Sequence, residues 1–401
     1  MPLPERALTP APPDPILGLS EAFRADPRPG KVNLAVGVYV DETGATPVLP
    51  SVIEAERRIA GRAGSRSYLP IDGRPAYCSA VRDLVFGPGH DVVASGRSVT
   101  AQTPGGTGAL RVAADFLVQV GGNRTAWLSN PTWPNHPQLF SLAGMEVRNY
   151  PYLDGSGRRL DVDAMLHALA GAARGDVVVL HGSCHNPTGI DPDPDAWRAI
   201  GDVVLDRGLV PIVDFAYQGF GHGLREDADW LTGMARPGLE FLVCSSYSKN
   251  FALYSERVGA LTVVAADPAR AASALSHVKI AIRANYSNPP SHGADVVETI
   301  LCGPRLREQW ESELAGMRGR IRGNRAAFVD ALGSAGLPGD WEPLRYQRGM
   351  FALLGMSASQ VARLRDEFAV YLVGAGRINV AGLTEANLPN VVAALGAVVG
   401  A

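Results

Sequence analysis

The sequence predicts an α/β protein with a large domain built on a mostly parallel sheet and a smaller α+β domain. Between about residues 98 and 267, short apolar runs alternate with longer amphipathic stretches, as the strands and covering helices of a parallel sheet do. The runs at 176–180, 209–213 and 239–243 are apolar apart from Asp176 and Glu240, which is typical of strands covered on both faces. After Gly303 the pattern changes to long helices with short strand-like runs between them.

The C-terminal part of the chain is predicted to form the smaller domain. Four apolar residues, spaced by four, three and four, lie on one face of a predicted helix: Trp310, Leu314, Met317 and Ile321. Ser357 and Gln360 have the spacing of a capping box at the start of a further helix. The runs at 350–355 and 377–382 indicate short strands. We expect the N-terminal segment near residues 32–40 to join this domain.

Composition bounds the class of protein and of partner. The 401 residues are 46% apolar and 19% charged, which is typical of a folded globular protein. A net charge of -3 argues against nucleic acid as partner, because phosphate binding needs a clustered basic face. No segment has the pattern of a signal peptide or a membrane span, so we expect a cytoplasmic protein. The widely spaced cysteines and the histidines predict neither a disulfide framework nor a metal site.

Lys249 is unusual because the chain contains hardly any lysine. Of 37 basic residues, only Lys31, Lys249 and Lys279 are lysines. An amine can lose its proton and attack a carbonyl group, whereas guanidinium stays protonated. We interpret Lys31 and Lys279 as surface charges, which leaves Lys249 as the candidate nucleophile.

Polar or aromatic side chains follow the predicted strands at the same end. They are Trp133 and His136 after one strand, Asn186 after a second, Asp214 and Tyr217 after a third, and Lys249 after a fourth. Ligands of open parallel sheets bind beyond the carboxyl ends of the strands. The sequence therefore predicts that these side chains meet at one ligand site.

A glycine-rich segment adds a candidate phosphate site. Gly105, Gly106 and Thr107 stand just before a predicted helix, where backbone N–H groups and a hydroxyl can face an anion. Such turns also occur without a ligand. Three residues near the lysine in sequence could complete the site: Ser246, Ser248 and Arg257. An amine beside a phosphate site, with an aspartate and a tyrosine nearby, indicates pyridoxal phosphate, an aldehyde that lysine holds as an imine.

Seven segments resemble the aspartate aminotransferases, the class I group of fold-type I pyridoxal phosphate enzymes. They are SYSKNFALYSERVG, HNPTGID, DFAYQGF, NPTWPNH, TPGGTGAL, RANYSNPP and GRINVAG, in family order over nearly the whole chain. The resemblance implies a large domain at 46–310, with a mostly parallel seven-stranded sheet flanked by helices. It also implies a small α+β domain at 311–401, which the N-terminal segment 1–45 joins, and a homodimer with active sites shared across the interface.

The resemblance implies a role for each residue of the candidate site. Lys249 would hold the cofactor and, once the substrate amine displaces it, carry a proton between the substrate α-carbon and the cofactor. Asp214 would hold the cofactor's ring nitrogen, with His136 behind it. Asn186 and Tyr217 would bind its phenolic oxygen. Because burial and nearby positive charge both lower a lysine pKa, we expect the Lys249 amine to be available near neutral pH.

Ring stacking and phosphate binding are also implied by the resemblance. Trp133 would stack on the cofactor ring and is a catalytic candidate together with Lys249, Asp214 and Tyr217. The implied phosphate set is Gly105, Gly106, Thr107, Ser246, Ser248 and Arg257, joined by Tyr68 from the neighbouring subunit.

The resemblance also implies that two arginines select the substrate. Arg377 would clamp the α-carboxylate, since a planar guanidinium suits bidentate pairing. Arg283 would reach from the neighbouring subunit to the side-chain carboxylate of a dicarboxylic substrate. The implied substrate contacts also include Gly37, Trp133, Asn186 and Phe351, with Ile16, Leu17 and Val36 in the same wall.

We expect an aminotransferase that moves the amino group between aspartate or glutamate and the 2-oxo acids oxaloacetate and 2-oxoglutarate by a ping-pong mechanism. Three positions near the mouth of the site depart from the usual family residues: Val40, Ser67 and Pro70. Three others are typical of aspartate-preferring members: Thr46, Thr107 and Asn288. The nearest alternative is an aminotransferase of the same fold with aromatic or specialised biosynthetic substrates. A lyase or synthase with the same cofactor, and a binding protein without catalysis, are further alternatives.

Overall fold

The computed structural model describes residues 14, 16–62, 64–65, 67–122, 125–236 and 238–399. The strands are β1 (Val32–Asn33), β2 (Ser98–Pro104), β3 (Thr125–Asn130), β4 (Glu146–Pro151), β5 (Val177–His181), β6 (Val210–Phe215), β7 (Phe241–Ser246), β8 (Val258–Val264), β9 (Phe351–Leu353), β10 (Val370–Tyr371) and β11 (Arg377–Asn379). The helices up to the end of the sheet are α1 (Leu17–Ala25), α2 (Pro50–Ala60), α3 (Pro75–Phe86), α4 (Asp91–Ala94), α5 (Gly105–Gly121), α6 (Asn135–Leu142), α7 (Val162–Ala170), α8 (Pro194–Arg207) and α9 (Asp229–Met234). Those that follow are α10 (Pro268–Asn285), α11 (His292–Leu301), α12 (Pro304–Ser334), α13 (Ala358–Phe368) and α14 (Leu388–Val399).

A seven-stranded sheet forms the centre of the large domain, in the order β2, β8, β7, β6, β5, β3, β4. Strand β8 runs antiparallel to both of its neighbours, β2 and β7. The remaining neighbours pair in parallel. The predicted α/β class and the mostly parallel sheet are therefore confirmed.

Alternate residues of one strand enter two different cores, as the period of a strand requires. Val177 and Val179 of β5 pack into a core that includes residues of α5 and α10. Val178 and Leu180 of the same strand pack into a core that includes residues of α7 and α8. Every residue of β5 is buried. Two-sided burial explains why the first four residues of the strand are all apolar, since neither face meets water.

The C-terminal elements follow the predicted pattern. Helix α12 is 31 residues long and buries the four residues predicted to share one face: Trp310, Leu314, Met317 and Ile321. Strands β9 and β11 pair antiparallel, and β1 pairs in parallel with β10 through Val32 and Val370. Ser357 and Gln360 form the predicted capping box of α13.

The predicted domain boundary at residue 310 lies within α12, which continues through it. The division into 1–45, 46–310 and 311–401 therefore stays a prediction. Within the described ranges, no helix is long and apolar enough to cross a bilayer.

Candidate active site

A cavity of about 490 Å³ opens at the carboxyl edge of the parallel strands. Most of the predicted site residues line it: Gly37, Gly106, Thr107, Trp133, Asn186, Asp214, Tyr217, Ser246, Ser248, Lys249, Arg257, Phe351 and Arg377. They come from segments more than three hundred residues apart in sequence. Ile16 and Val36 of the predicted wall also line the cavity. The side chain of Leu17 lies outside the described residues.

Three predicted residues do not line this cavity. Gly105 packs directly against Arg257, as shown by the collision that an added Cβ at position 105 would make with the guanidinium. Tyr68 is 92% exposed. Arg283 is exposed near the end of α10, where its guanidinium donates to the Ser287 hydroxyl. Tyr68 and Arg283 were predicted to serve the neighbouring subunit, so their position in one chain does not test that prediction.

Lys249 follows β7 and its amine lies 4.7 Å from the centroid of the Tyr217 ring. Burial lowers the pKa of this amine from 10.5 to about 8. The carboxylate of Asp214 acts in the opposite direction, and the guanidinium groups of Arg257 and Arg377 add to the lowering. The expected direction and its two causes are confirmed. An appreciable fraction of Lys249 is thus unprotonated just above neutral pH.

Asp214 lies near the end of β6 and is held by His136. The Oδ2 atom of Asp214 is 3.0 Å from Nε2 of His136. Burial raises the pKa of Asp214, but the hydrogen bond from His136 and the other groups that face the carboxylate together outweigh burial, so that the pKa lies below its ordinary value of 3.8. The carboxylate is therefore ionised at neutral pH, as a partner for a protonated ring nitrogen must be.

A chain of hydrogen bonds connects Asp214 to Asn186 behind the cavity. If His136 donates through Nε2, its Nδ1 accepts from the Thr132 hydroxyl at 2.8 Å. Thr132 then accepts from His181 Nε2 at 3.2 Å, and His181 Nδ1 accepts the Asn186 backbone N–H at 3.4 Å. Burial lowers the pKa of His181 to about 3, so His181 is neutral and can accept. One direction of donation satisfies every member.

Arg377 lies in β11 and is 3% exposed. Its Nη1 donates to the Asn186 side-chain oxygen at 3.2 Å and its Nη2 to the Ala35 carbonyl at 2.6 Å. Its Nε is buried and has no partner among the described residues. Burial lowers the pKa of Arg377 to about 10, so the guanidinium keeps its charge at neutral pH. A buried cation with an unused donor suits a carboxylate ligand.

The glycine-rich segment forms the first turn of α5, whereas the sequence predicted that it would precede the helix. Gly105 has a φ of 75°, which favours glycine. A Cβ at Gly106 would lie 3.0 Å from the Ser246 Cβ. The Ser248 hydroxyl accepts from Arg257 Nη1 at 3.3 Å. The absence of side chains on these glycines lets Arg257 and Ser246 lie close to the N-terminus of α5, and a guanidinium beside a helix N-terminus suits an anion.

Other cavity residues were not predicted from the sequence. They are Asp14, Leu110, Pro134, Asn135, Gln138, His181, Ala216 and Tyr254. Tyr254 belongs to the lysine segment, and its hydroxyl accepts the Tyr39 backbone N–H at 2.7 Å. Its position in the same segment as Lys249 could have identified Tyr254 as a site residue. The sequence around it gives no indication of a hydrogen bond to residue 39.

A mostly parallel sheet that brings a lysine of lowered pKa, an ionised aspartate and a helix N-terminus beside Arg257 to one cavity indicates an enzyme, and the family match makes it a transferase. The chain belongs to the class I and II aminotransferases, whose family model matches residues 29–395.

Three comparisons illustrate this membership. The aspartate aminotransferase of Escherichia coli (strain K12) is 52% identical over 381 residues, which cover 95% of this chain and 96% of that protein. A crystal structure of an aromatic-amino-acid aminotransferase from Burkholderia pseudomallei, covalently bound to pyridoxal phosphate, has a TM-score of 0.95 at 47% identity and covers 98% of both chains. An aspartate aminotransferase from Saccharomyces cerevisiae cytoplasm has a TM-score of 0.95 at 35% identity, again over 98% of both chains.

Proposed function

We propose that the protein transfers the amino group between aspartate or glutamate and the 2-oxo acids oxaloacetate and 2-oxoglutarate. The observation that carries this function is the buried Arg377 guanidinium, with its unused Nε, in the cavity that also holds Lys249. An α-amino acid presents a carboxylate and an amine on one carbon. The carboxylate suits the Arg377 guanidinium, and the amine can displace the Lys249 amine from the cofactor. The aspartate aminotransferases among the relatives support the dicarboxylic substrates.

The cofactor is pyridoxal 5′-phosphate, and the residues present fit it. The N-terminus of α5 and the adjacent Arg257 guanidinium suit its phosphate, and the ionised Asp214 suits its ring nitrogen. Asn186, Tyr217 and Trp133 would complete the ring contacts. When bound, the cofactor supplies an electrophilic carbon for the substrate amine and a ring that accepts the electron pair released at the substrate α-carbon.

Lys249 is the base in this proposal. Its Nζ is unprotonated in an appreciable fraction of molecules near pH 8, so it can accept the proton of the substrate α-carbon. The same Nζ then returns the proton during transfer. Burial raises the pKa of Tyr217, which therefore keeps its phenolic proton and donates it in a hydrogen bond. Asp214 remains charged throughout.

Substrate selection and assembly complete the proposal. Arg377 and Asn186 would bind the α-carboxylate, with Gly37 and Phe351 closing the wall. In a homodimer, Tyr68 and Arg283 of each subunit would reach the other subunit's phosphate and substrate sites. Both side chains are exposed, and neither lines the active-site cavity of its own chain, which supports this arrangement. A cytoplasmic location is also proposed, by analogy with the yeast relative.

The cofactor spectrum tests the function directly. Protein loaded with cofactor is mixed with aspartate, glutamate or phenylalanine alone, and conversion to the amine form of the cofactor is followed. We expect conversion with the dicarboxylic amino acids. Lys249→Ala should lose the visible absorbance that the cofactor gains on attachment to lysine, whereas Lys279→Ala should keep it. Attachment at any lysine other than Lys249, seen by borohydride reduction and peptide mapping, would refute the assignment.

A second candidate is an aminotransferase for aromatic amino acids. The Burkholderia pseudomallei relative and the unusual residues Val40, Ser67 and Pro70 favour it. Turnover with aspartate and with phenylalanine, with 2-oxoglutarate as the common acceptor, separates the two candidates. A large preference for phenylalanine would establish the aromatic function instead.

A further inference from the structure

Arg325 is a fully buried arginine in the middle of α12. It is 2% exposed and lies among the buried side chains of that helix. Burial lowers its pKa to about 10, and the ionisable groups that act on it are Cys184 and Arg348. None of the carboxylates in the described ranges contributes to that pKa. A buried guanidinium without a counterion costs free energy, so its presence needs a specific reason.

The guanidinium of Arg325 binds two backbone carbonyls of one short segment. Its Nη2 donates to the Gly349 carbonyl at 2.6 Å and to the Phe351 carbonyl at 3.0 Å. Its Nη1 has no partner among the described residues. Because one nitrogen holds two carbonyls two residues apart, Arg325 determines the path of the chain where it enters β9.

Phe351, the first residue of β9, packs against three groups of the active-site cavity. Its ring centroid lies 4.3 Å from Cζ of Arg377. It meets the Tyr217 ring edge to face at 6.0 Å between centroids. A Cβ added at Gly37 would lie 2.9 Å from its Cζ atom. A displacement of the Phe351 backbone therefore reaches the Arg377 guanidinium directly.

The opposite side of this segment leaves little room for movement. The Arg348 backbone N–H donates to the Gly189 carbonyl at 2.6 Å. A Cβ at Gly189 would lie 2.7 Å from the Phe351 carbonyl oxygen, and one at Gly349 would collide with the Cys184 side chain. The segment is thus confined between Arg325 on one side and the loop that carries Asn186 on the other.

We propose that Arg325 is a positioning residue for the substrate α-carboxylate. By holding the carbonyls of Gly349 and Phe351, it keeps the Phe351 ring beneath Arg377 and fixes the position of the Arg377 guanidinium. This inference rests on the proposed function, in which Arg377 binds that carboxylate.

The test uses steady-state kinetics of the holoenzyme with aspartate and 2-oxoglutarate. Arg325→Met removes both hydrogen bonds, and Arg325→Lys keeps a positively charged donor at the same position of α12. Arg322→Met is the control. Arg322 is an exposed residue of α12 that also donates to a backbone carbonyl, that of Gly221 at 2.7 Å, and neither Arg322 nor Gly221 lines the cavity.

We expect Arg325→Met to raise the KM for aspartate by about 10-fold to 100-fold, the effect of misplacing a binding group by about 1 Å. The change in kcat should be much smaller, because Arg377 binds the α-carboxylate equally in the ground state and the transition state. Arg325→Lys should recover most of the affinity, and Arg322→Met should keep the wild-type KM. A KM change in Arg325→Met no larger than in Arg322→Met would overturn the proposal.

A double-mutant cycle with Phe351→Leu separates positioning from general destabilisation. If Arg325 acts through Phe351, the effects of the two substitutions on the KM are not additive. Fully additive effects would contradict the proposal. Should Arg325→Met fail to fold, the same cycle is run with Arg325→Gln, which removes the guanidinium charge, and additivity there has the same meaning. Absence of turnover in the wild type would count against the proposed function. Normal turnover in the wild type, together with an unchanged KM in the Arg325→Met variant, would count against the role of Arg325 alone.

Discussion

Lys249 is expected to make the cofactor-free protein less stable at neutral pH than at alkaline pH. Burial lowers the pKa of its amine from 10.5 to about 8 on folding. Below pH 8 both the folded and the unfolded chain hold the proton, and the folded state bears the full cost of confining the ammonium. Between pH 8 and 10.5 the unfolded chain binds the proton and the folded chain does not, so the free energy of unfolding rises with pH.

The size of this effect follows from the displacement of the pKa. A change from 10.5 to about 8 corresponds to about 3 kcal/mol, at 1.36 kcal/mol for each pH unit. Roughly 2 kcal/mol of this is regained between pH 7 and pH 10, where the two titration curves differ most. Lys249 is partly exposed, so screening by solvent makes both values upper bounds.

Urea unfolding of cofactor-free wild type and Lys249→Met, at several pH values from 7 to 10, measures the effect. Subtracting the two free energies of unfolding removes the contribution of every other titrating group. We expect the methionine variant to be the more stable at pH 7 and its advantage to shrink as the pH rises. A difference that stays constant over this range would refute the claim that folding displaces the lysine pKa.

Three further predictions concern the site and the fold. Asp214→Asn should lower kcat by about 10²-fold or more, since a fixed charge that stabilises the reacting system is lost; stopped-flow spectroscopy of the first half-reaction checks it, and an unchanged rate would contradict it. Arg283→Ala should lower the ratio of aspartate to phenylalanine turnover by about 10-fold to 100-fold, the worth of a hydrogen bond to a charge, whereas Lys279→Ala should leave that ratio unchanged. Ser357→Ala should cost about 1 kcal/mol of unfolding free energy through loss of the α13 capping box, and equal urea midpoints for the variant and the wild type would show that the cap contributes nothing.

The strands were predictable because burial on both faces leaves a continuous apolar run in the sequence. Their ends were not. Strand β6 continues through Asp214 to Phe215, and β7 continues to Ser246, beyond the apolar runs that indicated them. Asp214 and Ser246 are polar residues that line a cavity. Polarity alone therefore could not distinguish the last residue of a strand from the first residue of a loop.

The first turn of α5 shows the same limit. Glycine is a poor helix former, so the glycine-rich segment indicated a turn before the helix. In the structure Gly105 and Gly106 lie in the first turn of α5. Larger side chains at these positions would meet Arg257 and Ser246, which explains why glycine is used there. Packing against neighbouring elements outweighed the local preference.

Residue chemistry and spacing were enough to indicate the lysine and the aspartate, because each of these functions accepts few side chains. Arg377 came from the family resemblance, because its neighbours in sequence are distinctive. The relations among residues from distant segments required the folded chain. His181 lies opposite Asp214 only through the pairing of β5 with β6. Arg325, in a helix rich in arginine, is buried and binds the Phe351 carbonyl at the start of β9. Hydrogen bonds and burial depend on distances between segments, which sheet order and helix packing set and which no local pattern encodes.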